Sequence, residues 1–133
     1  MLKLSTKGRY GVRLMLDLAQ RSGMDPVALA DIAKRQEISE KYLEHLVAPL
    51  KKAKLISSIR GAHGGYSLRR PPDKITLKEI ITAVEGSVCI VECIRKPTIC
   101  NRSRDCLTRG VWSELSAKIS EVLSSLTLQK LID

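Results

Sequence analysis

Four cysteines, Cys89, Cys93, Cys100 and Cys106, fall within eighteen residues of a 133-residue chain that has no others. Thiolates are soft donors for zinc and iron–sulfur clusters, and they are also the nucleophiles of redox switches. The intervals run Cys-x3-Cys-x6-Cys-x5-Cys. Structural zinc sites use two close Cys-x2-4-Cys pairs, and only the first interval has that form. Donors spread along one loop suit an iron–sulfur cluster, whose larger inorganic core is approached from several directions. Arg95, Lys96, Arg102 and Arg104 share the segment; they favour thiolate over thiol and offset a cluster's negative charge, and they would equally activate a bare redox thiol. Cluster, redox thiol and zinc are the chemistries open to these residues, in that order. A thiol oxidoreductase is poorly supported. The chain has no Cys-x2-Cys pair and no phosphate-binding glycine loop, and its two imidazoles, His45 and His63, fall elsewhere.

The charge lies at the other end. Residues 1–70 hold 14 Lys/Arg against 6 Asp/Glu, and residues 71–133 hold 9 against 8, so the net +9 belongs to the front half. A polyanion partner needs such a distribution. Helical spacing of Gly11, Leu14/Met15 and Leu18 predicts helix one from Thr6 to about Arg21, with Ser5 or Thr6 as cap and Gly23 as stop. Leu29, Ile32 and Ala33 predict a short helix two over Val27 to Gln36. After a tight turn at Glu37-Ile38, Ser39 caps helix three, Glu40 to about Ala53, which buries Leu43, Leu46, Val47 and Leu50 and turns Glu40, Lys41, Glu44 and His45 outward. That order is the helix-turn-helix pattern, whose second element enters the major groove of double-stranded DNA. Pro49 predicts a kink or early end of helix three, because it lacks a donor and crowds the His45 carbonyl.

Leu55 to Ile59 can pair with Tyr66 to Leu68 across Gly61, Ala62, His63, Gly64 and Gly65, which makes a wing. Its glycines let backbone approach a phosphate chain, and Arg60 at its base is placed for a minor groove. Thr76 and Glu79 form a capping box for a helix to about Glu85. An irregular cysteine segment follows. Leu107, Val111, Leu115, Ile119, Val122/Leu123 and Leu126 then predict a long helix from about Cys106 to Ser125, and Thr127 caps a last turn. The fold class is mainly α with a small β-hairpin wing: a winged helix-turn-helix DNA-binding domain over 1–85, a cysteine-rich loop over 86–105, and a dimerisation helix with a C-terminal turn over 106–133. With no Phe, one Trp and three Tyr, the core must be aliphatic. So long an apolar stripe in so small a domain calls for a second copy, and paired readers match a palindromic site. The polar, basic start and the lack of any long apolar run point to a cytoplasmic protein without a membrane partner.

Leu4-Ser5-Thr6-Lys7-Gly8-Arg9-Tyr10, Met15-Leu16-Asp17, Ile38-Ser39 with Tyr42-Leu43-Glu44, Ser57-Ser58-Ile59-Arg60-Gly61 with Gly64-Gly65-Tyr66, and Cys106-Leu107-Thr108 with Trp112 together resemble the winged-helix regulators that include IscR, NsrR and CymR. The match spans essentially the whole chain, and the start and wing look closest to the IscR type. The resemblance implies a homodimeric transcription regulator, not an enzyme, that senses iron–sulfur or redox status and controls iron–sulfur cluster biosynthesis; a cluster-free repressor of cysteine metabolism is the alternative. It implies cluster ligands at Cys93, Cys100 and Cys106, most simply for 2Fe-2S; Cys89, to which the family gives no role, is a spare thiolate and a possible further ligand. The histidine that IscR-type proteins carry three residues after the last cysteine is Arg109 here, and the acidic ligand that NsrR-type proteins supply from helix one is Gly8. The resemblance further implies Ser39, Lys41 and His45 in the major groove and Glu44 as the discriminator between site classes. Arg60 would lie in the minor groove, within a wing built from Gly61, Gly64, Gly65 and Tyr66. Arg9 and Tyr10 would sit at the DNA backbone.

Overall fold

The apolar stripes meet in one aliphatic core. A computed structural model describes residues 1–133. Its elements are α1 (Thr6–Gln20), α2 (Leu29–Gln36), α3 (Glu40–Lys52), β1 (Ile56–Ile59), β2 (Gly65–Leu68), α4 (Leu77–Glu85), α5 (Glu92–Arg95), α6 (Arg109–Ser125) and α7 (Leu128–Ile132), with 3-10 turns at Pro72–Lys74 and Pro97–Ile99. Leu14, Met15 and Leu18 of α1 lie at the centre, against Ile32 of α2, Leu43 and Leu50 of α3, Ile56 of β1 and Ile80 of α4. The wing is an antiparallel pair in which Ile56 faces Leu68 and Ile59 faces Gly65. This is the mainly helical, winged architecture that the patterning predicts.

Local chemistry sets most of the boundaries. The hydroxyls of Ser5, Ser39 and Thr127 accept the amides of Gly8, Tyr42 and Lys130 at 3.1–3.3 Å, each satisfying a first-turn donor that the helix cannot. At α4 the capping box is complete: the Glu79 amide donates to Thr76 Oγ1 at 3.2 Å, and the Thr76 amide donates to Glu79 Oε2 at 3.0 Å.

Two boundaries and one expected stop differ from the sequence reading. Val27 does not open α2; it exchanges both backbone bonds with Tyr66 at 2.8 Å, so its polar groups serve the wing and the helix begins at Leu29. Pro49 does not end α3. Helical bonding continues past it, the Ala53 amide donating to the Pro49 carbonyl at 3.0 Å, so the ring removes one donor in the last turn and the helix reaches Lys52. The long helix starts at Arg109 rather than Cys106, because Cys106 Sγ and Thr108 Oγ1 bond each other at 3.1 Å across a turn that precedes it. The cysteine segment also contains more structure than its irregular sequence suggests, since Cys93 lies on α5.

The C-terminal turn returns to the first half of the chain. Leu77 donates to the Leu126 carbonyl at 2.8 Å and Leu128 donates to Ile75 at 3.0 Å, while the Leu128 side chain is fully buried in the main core. That docking fixes the far end of α6. One charged side chain is buried with the apolar ones. Asp17, 1 % exposed, accepts from Arg35 Nη2 at 2.8 Å and Nε at 3.1 Å, from Gln36 Nε2 at 3.0 Å and from Arg21 at 3.4 Å. Burial raises its carboxyl pKa, but the bonds from Arg35 and Gln36 and the two arginine charges outweigh that and hold it below the usual carboxylate range.

Asp17→Asn leaves Arg35 without its counter-charge and is expected to cost about 3 kcal/mol in urea unfolding at neutral pH. Because the folded carboxyl is the stronger acid, its contribution is full above the unfolded carboxylate value of about 4 and is lost as pH falls through the folded value. Glu79 is shifted in the same direction, burial again being outweighed, here by the Thr76 amide and Arg70. The acid loss of stability should therefore shrink in Asp17→Asn without vanishing, and an unchanged acid limb would show that the network contributes nothing.

Candidate nucleic-acid interface and cysteine segment

The start of α3 stands clear of the core. Ser39, Lys41, Glu44 and His45 are all exposed, and at i, i+3 and i+4 spacing the last three share one face. Lys41, Glu44 and His45 form no ion pair within the chain. Ser39 uses its oxygen to cap the helix, which leaves its O–H free to donate outward. The wing presents Arg60, exposed at the end of β1, and Gly61 at φ +115°.

Gly64 and Gly65 serve the hairpin from within. A Cβ on Gly64 would overlap the Ile59 carbonyl and one on Gly65 would overlap the Val27 carbonyl, so the wing closes only with glycine at both. Tyr66 is half-buried against the core. Arg9 is exposed and reaches Thr6 Oγ1 at 3.4 Å. Tyr10 is half-buried, its ring edge-on to Tyr42 at 5.5 Å.

All four cysteines are free thiols. The Arg109 guanidinium donates from Nη2 to the Cys93 carbonyl at 3.3 Å, and its buried Nε has no partner. Cys106 is held low in pKa by the Thr108 hydroxyl first, then by the Arg109 amide, with a smaller contribution from the Arg102 charge; burial acts weakly the other way. Cys100 is exposed. Next to Cys89, the Ile90 amide donates to the buried Ser116 hydroxyl at 3.2 Å, and Ser116 is seven residues along α6 from Arg109, a rise of about 10 Å. No three Cys, His, Asp or Glu side chains gather closely enough to hold a metal ion. In kind, three thiolates among arginines suit a cluster. In arrangement they are dispersed, and Arg109, always protonated, lies against the Cys93 backbone and offers no donor atom to a metal.

Beyond the cysteines, α6 exposes an apolar face: Val111 is 56 % and Val122 58 % accessible, with Trp112 and Leu115 beside them. Leu2 and Leu4 extend it, and together with Ile81, Ile119 and Leu123 they line a cleft of about 410 Å³. No helix is long and apolar enough to cross a membrane.

Residues 4–133 match Rrf2, described as an iron-dependent transcriptional regulator. The chain belongs to the Rrf2 family. It is 46 % identical over 131 residues to the HTH-type transcriptional regulator IscR of Sodalis glossinidius, covering 98 % of this chain and 79 % of that one. Among solved structures it is similar to CymR, the global cysteine regulator of B. subtilis, with a TM-score of 0.80 and 44 % identity over 98 % of this chain and 96 % of that one. It is also similar to IscR of T. potens, with a TM-score of 0.81 and 45 % identity over 98 % and 86 %. The chain is thus a DNA-binding transcription regulator of the Rrf2 family, with an IscR-type sequence and the winged-helix fold of both structures.

Sequence reasoning missed three contacts that shape this Rrf2 site. Asp17 reaches partners 18 and 19 residues away, the Gly8 amide donates to Glu85 Oε1 at 3.1 Å, and Arg109 grips Cys93. The only available signal was a carboxylate at position 17 inside the apolar stripe of α1.

Proposed function

We propose that the protein is a homodimeric, cytoplasmic regulator that reads a palindromic operator with α3 and the wing and senses iron–sulfur or redox status through its cysteine segment, controlling iron–sulfur cluster biosynthesis. The observation that carries the DNA-reading part is the free face of Lys41, Glu44 and His45 at the capped start of α3, together with an exposed Arg60. Cations here draw phosphate, and base edges then choose the site. Glu44 accepts only from a donor such as cytosine N4 and repels phosphate, so it penalises sites that lack a suitable base. Arg9 and Tyr10 would contact the DNA backbone, and Gly61, Gly64, Gly65 and Tyr66 would give the wing its close approach.

Val111, Trp112, Leu115 and Val122 supply the surface for a second copy, whose α6 would cover what this chain leaves open. Cys93, Cys100 and Cys106 would hold the cluster, most simply 2Fe-2S, which supplies iron- and redox-dependent occupancy when bound. The Arg102 charge adds to the Thr108 and Arg109 hydrogen bonds that hold the Cys106 thiol low. Cys89 is a possible further ligand. A second reading is a cluster-free thiol sensor. It is favoured by the dispersal of the four thiols and by the CymR likeness.

Arg60→Ala should weaken binding to the preferred duplex about tenfold, the scale of one base-contacting arginine, and unchanged affinity across a salt series would remove the wing. Val122→Glu should shift the protein from dimer to monomer in sedimentation, because it buries a charge at the interface; a dimer of undiminished stability would move the interface elsewhere. Anaerobic reconstitution with iron and sulfide should give visible absorption and bound iron that Cys106→Ser loses. Wild-type protein that stays colourless would favour the thiol sensor.

A further inference from the structure

Arg13 is a half-buried cation on α1 that forms no ion pair. Its Nε donates to Gln36 Oε1 at 3.3 Å and its Nη2 donates to the Gln36 carbonyl. Gln36 is the last residue of α2, where the helix presents carbonyls without donors and the negative end of its dipole. The Gln36 amide donates in turn to the buried Asp17 at 3.0 Å. On its flat side the guanidinium carbon lies 5.2 Å from the centroid of Tyr10, and Tyr10 meets Tyr42 edge to face at 78°. Tyr42 belongs to the first turn of α3, its amide held by Ser39. Between Gln36 and Tyr42 runs the turn of the helix-turn-helix, with Glu37 in the left-handed region at φ 55°.

We infer that Arg13 is a positioning residue for base recognition: one planar cation fastens the end of α2 and, through Tyr10, the first turn of α3. It thereby sets the angle at which Ser39, Lys41, Glu44 and His45 meet the groove. The inference rests on the DNA-reading role proposed for α3. It requires a guanidinium rather than a charge. Lysine keeps the charge but has neither two fixed donors nor a flat face to lay on a tyrosine. A phosphate-contacting cation would tolerate that exchange.

The test uses the duplex that the wild-type protein enriches from a randomised library and a scrambled duplex of equal length and composition. Wild type, Arg13→Lys and Arg13→Met are titrated with both over a salt series. Both variants should lose about tenfold on the enriched duplex, the scale of one mismatched base pair, and keep wild-type affinity and salt slope on the scrambled one. The ratio of the two affinities is the deciding quantity, because a partly unfolded sample lowers both equally. Wild-type behaviour of Arg13→Lys overturns the inference. So does a loss shared equally by both duplexes, which marks a phosphate contact if the salt slope also falls by about one and plain destabilisation if it does not. Failure of the wild type itself to prefer the enriched duplex would overturn the DNA-reading role instead.

Discussion

The carboxylate of Asp17 is the fixed point around which the DNA-reading half is assembled. Burying it removes a charge from water, a cost repaid only if its oxygens are filled with donors. They are filled by Arg35 and Gln36 from α2 and by Arg21 from the end of α1. Apolar packing alone lets two helices slide or rotate by a fraction of a turn, because dispersion is non-directional. A bidentate arginine does not, since both of its donors must meet both oxygens. The register of α2 on α1 is therefore set by a polar contact set in an otherwise aliphatic core. The same Gln36 that closes this network begins the path through Arg13 and the tyrosines to α3.

A second constraint joins the ends of the chain. Ile75 and Leu77 pair with Leu126 and Leu128, so the long helix leaves the core through the cysteine segment and returns to it at α7. Between these ends Ser116 holds Ile90, and at its start Arg109 holds Cys93. Glu85 closes the loop from the other side, accepting the Gly8 amide at the start of α1. Any movement of the cysteine segment therefore bears on α4 and α1 through covalent continuity and these bonds. Lys7, Arg9 and Tyr10 follow within one turn.

Much of this was legible where the determining interaction is local. Ser39, Thr76 and Thr127 announce helix starts because a hydroxyl reaches an amide only three residues on, and the wing follows from glycines between short β-branched runs. Val27 was misread because its partner, Tyr66, is remote and tertiary pairing overrode a helical period. Of the kink or early end that Pro49 predicts, the early end does not occur, because the ring removes a single donor and helical bonding continues past it. The outward residues of α3 could be named from spacing, whereas the way they are aimed, through Asp17, Gln36 and Arg13, depends on contacts that no period reveals. The cysteines show the same limit. Their chemistry is written in residue type, but convergence is a property of backbone path, and α5 is too short to leave a period.

Arg109 ties these strands together. A guanidinium stays protonated, so the position that begins α6 carries a permanent positive charge against the backbone of Cys93. Arg109 helps, through its backbone amide, to hold the Cys106 thiol below its ordinary pKa. It also leaves a buried Nε without an acceptor, a cost of about 1–3 kcal/mol in the arrangement seen. An arrangement that brought sulfur or another acceptor to this nitrogen would recover that energy. The segment is therefore held by a contact that is incompletely satisfied, between a rigid α6 fixed at its far end and an α4 bonded to the DNA-reading head.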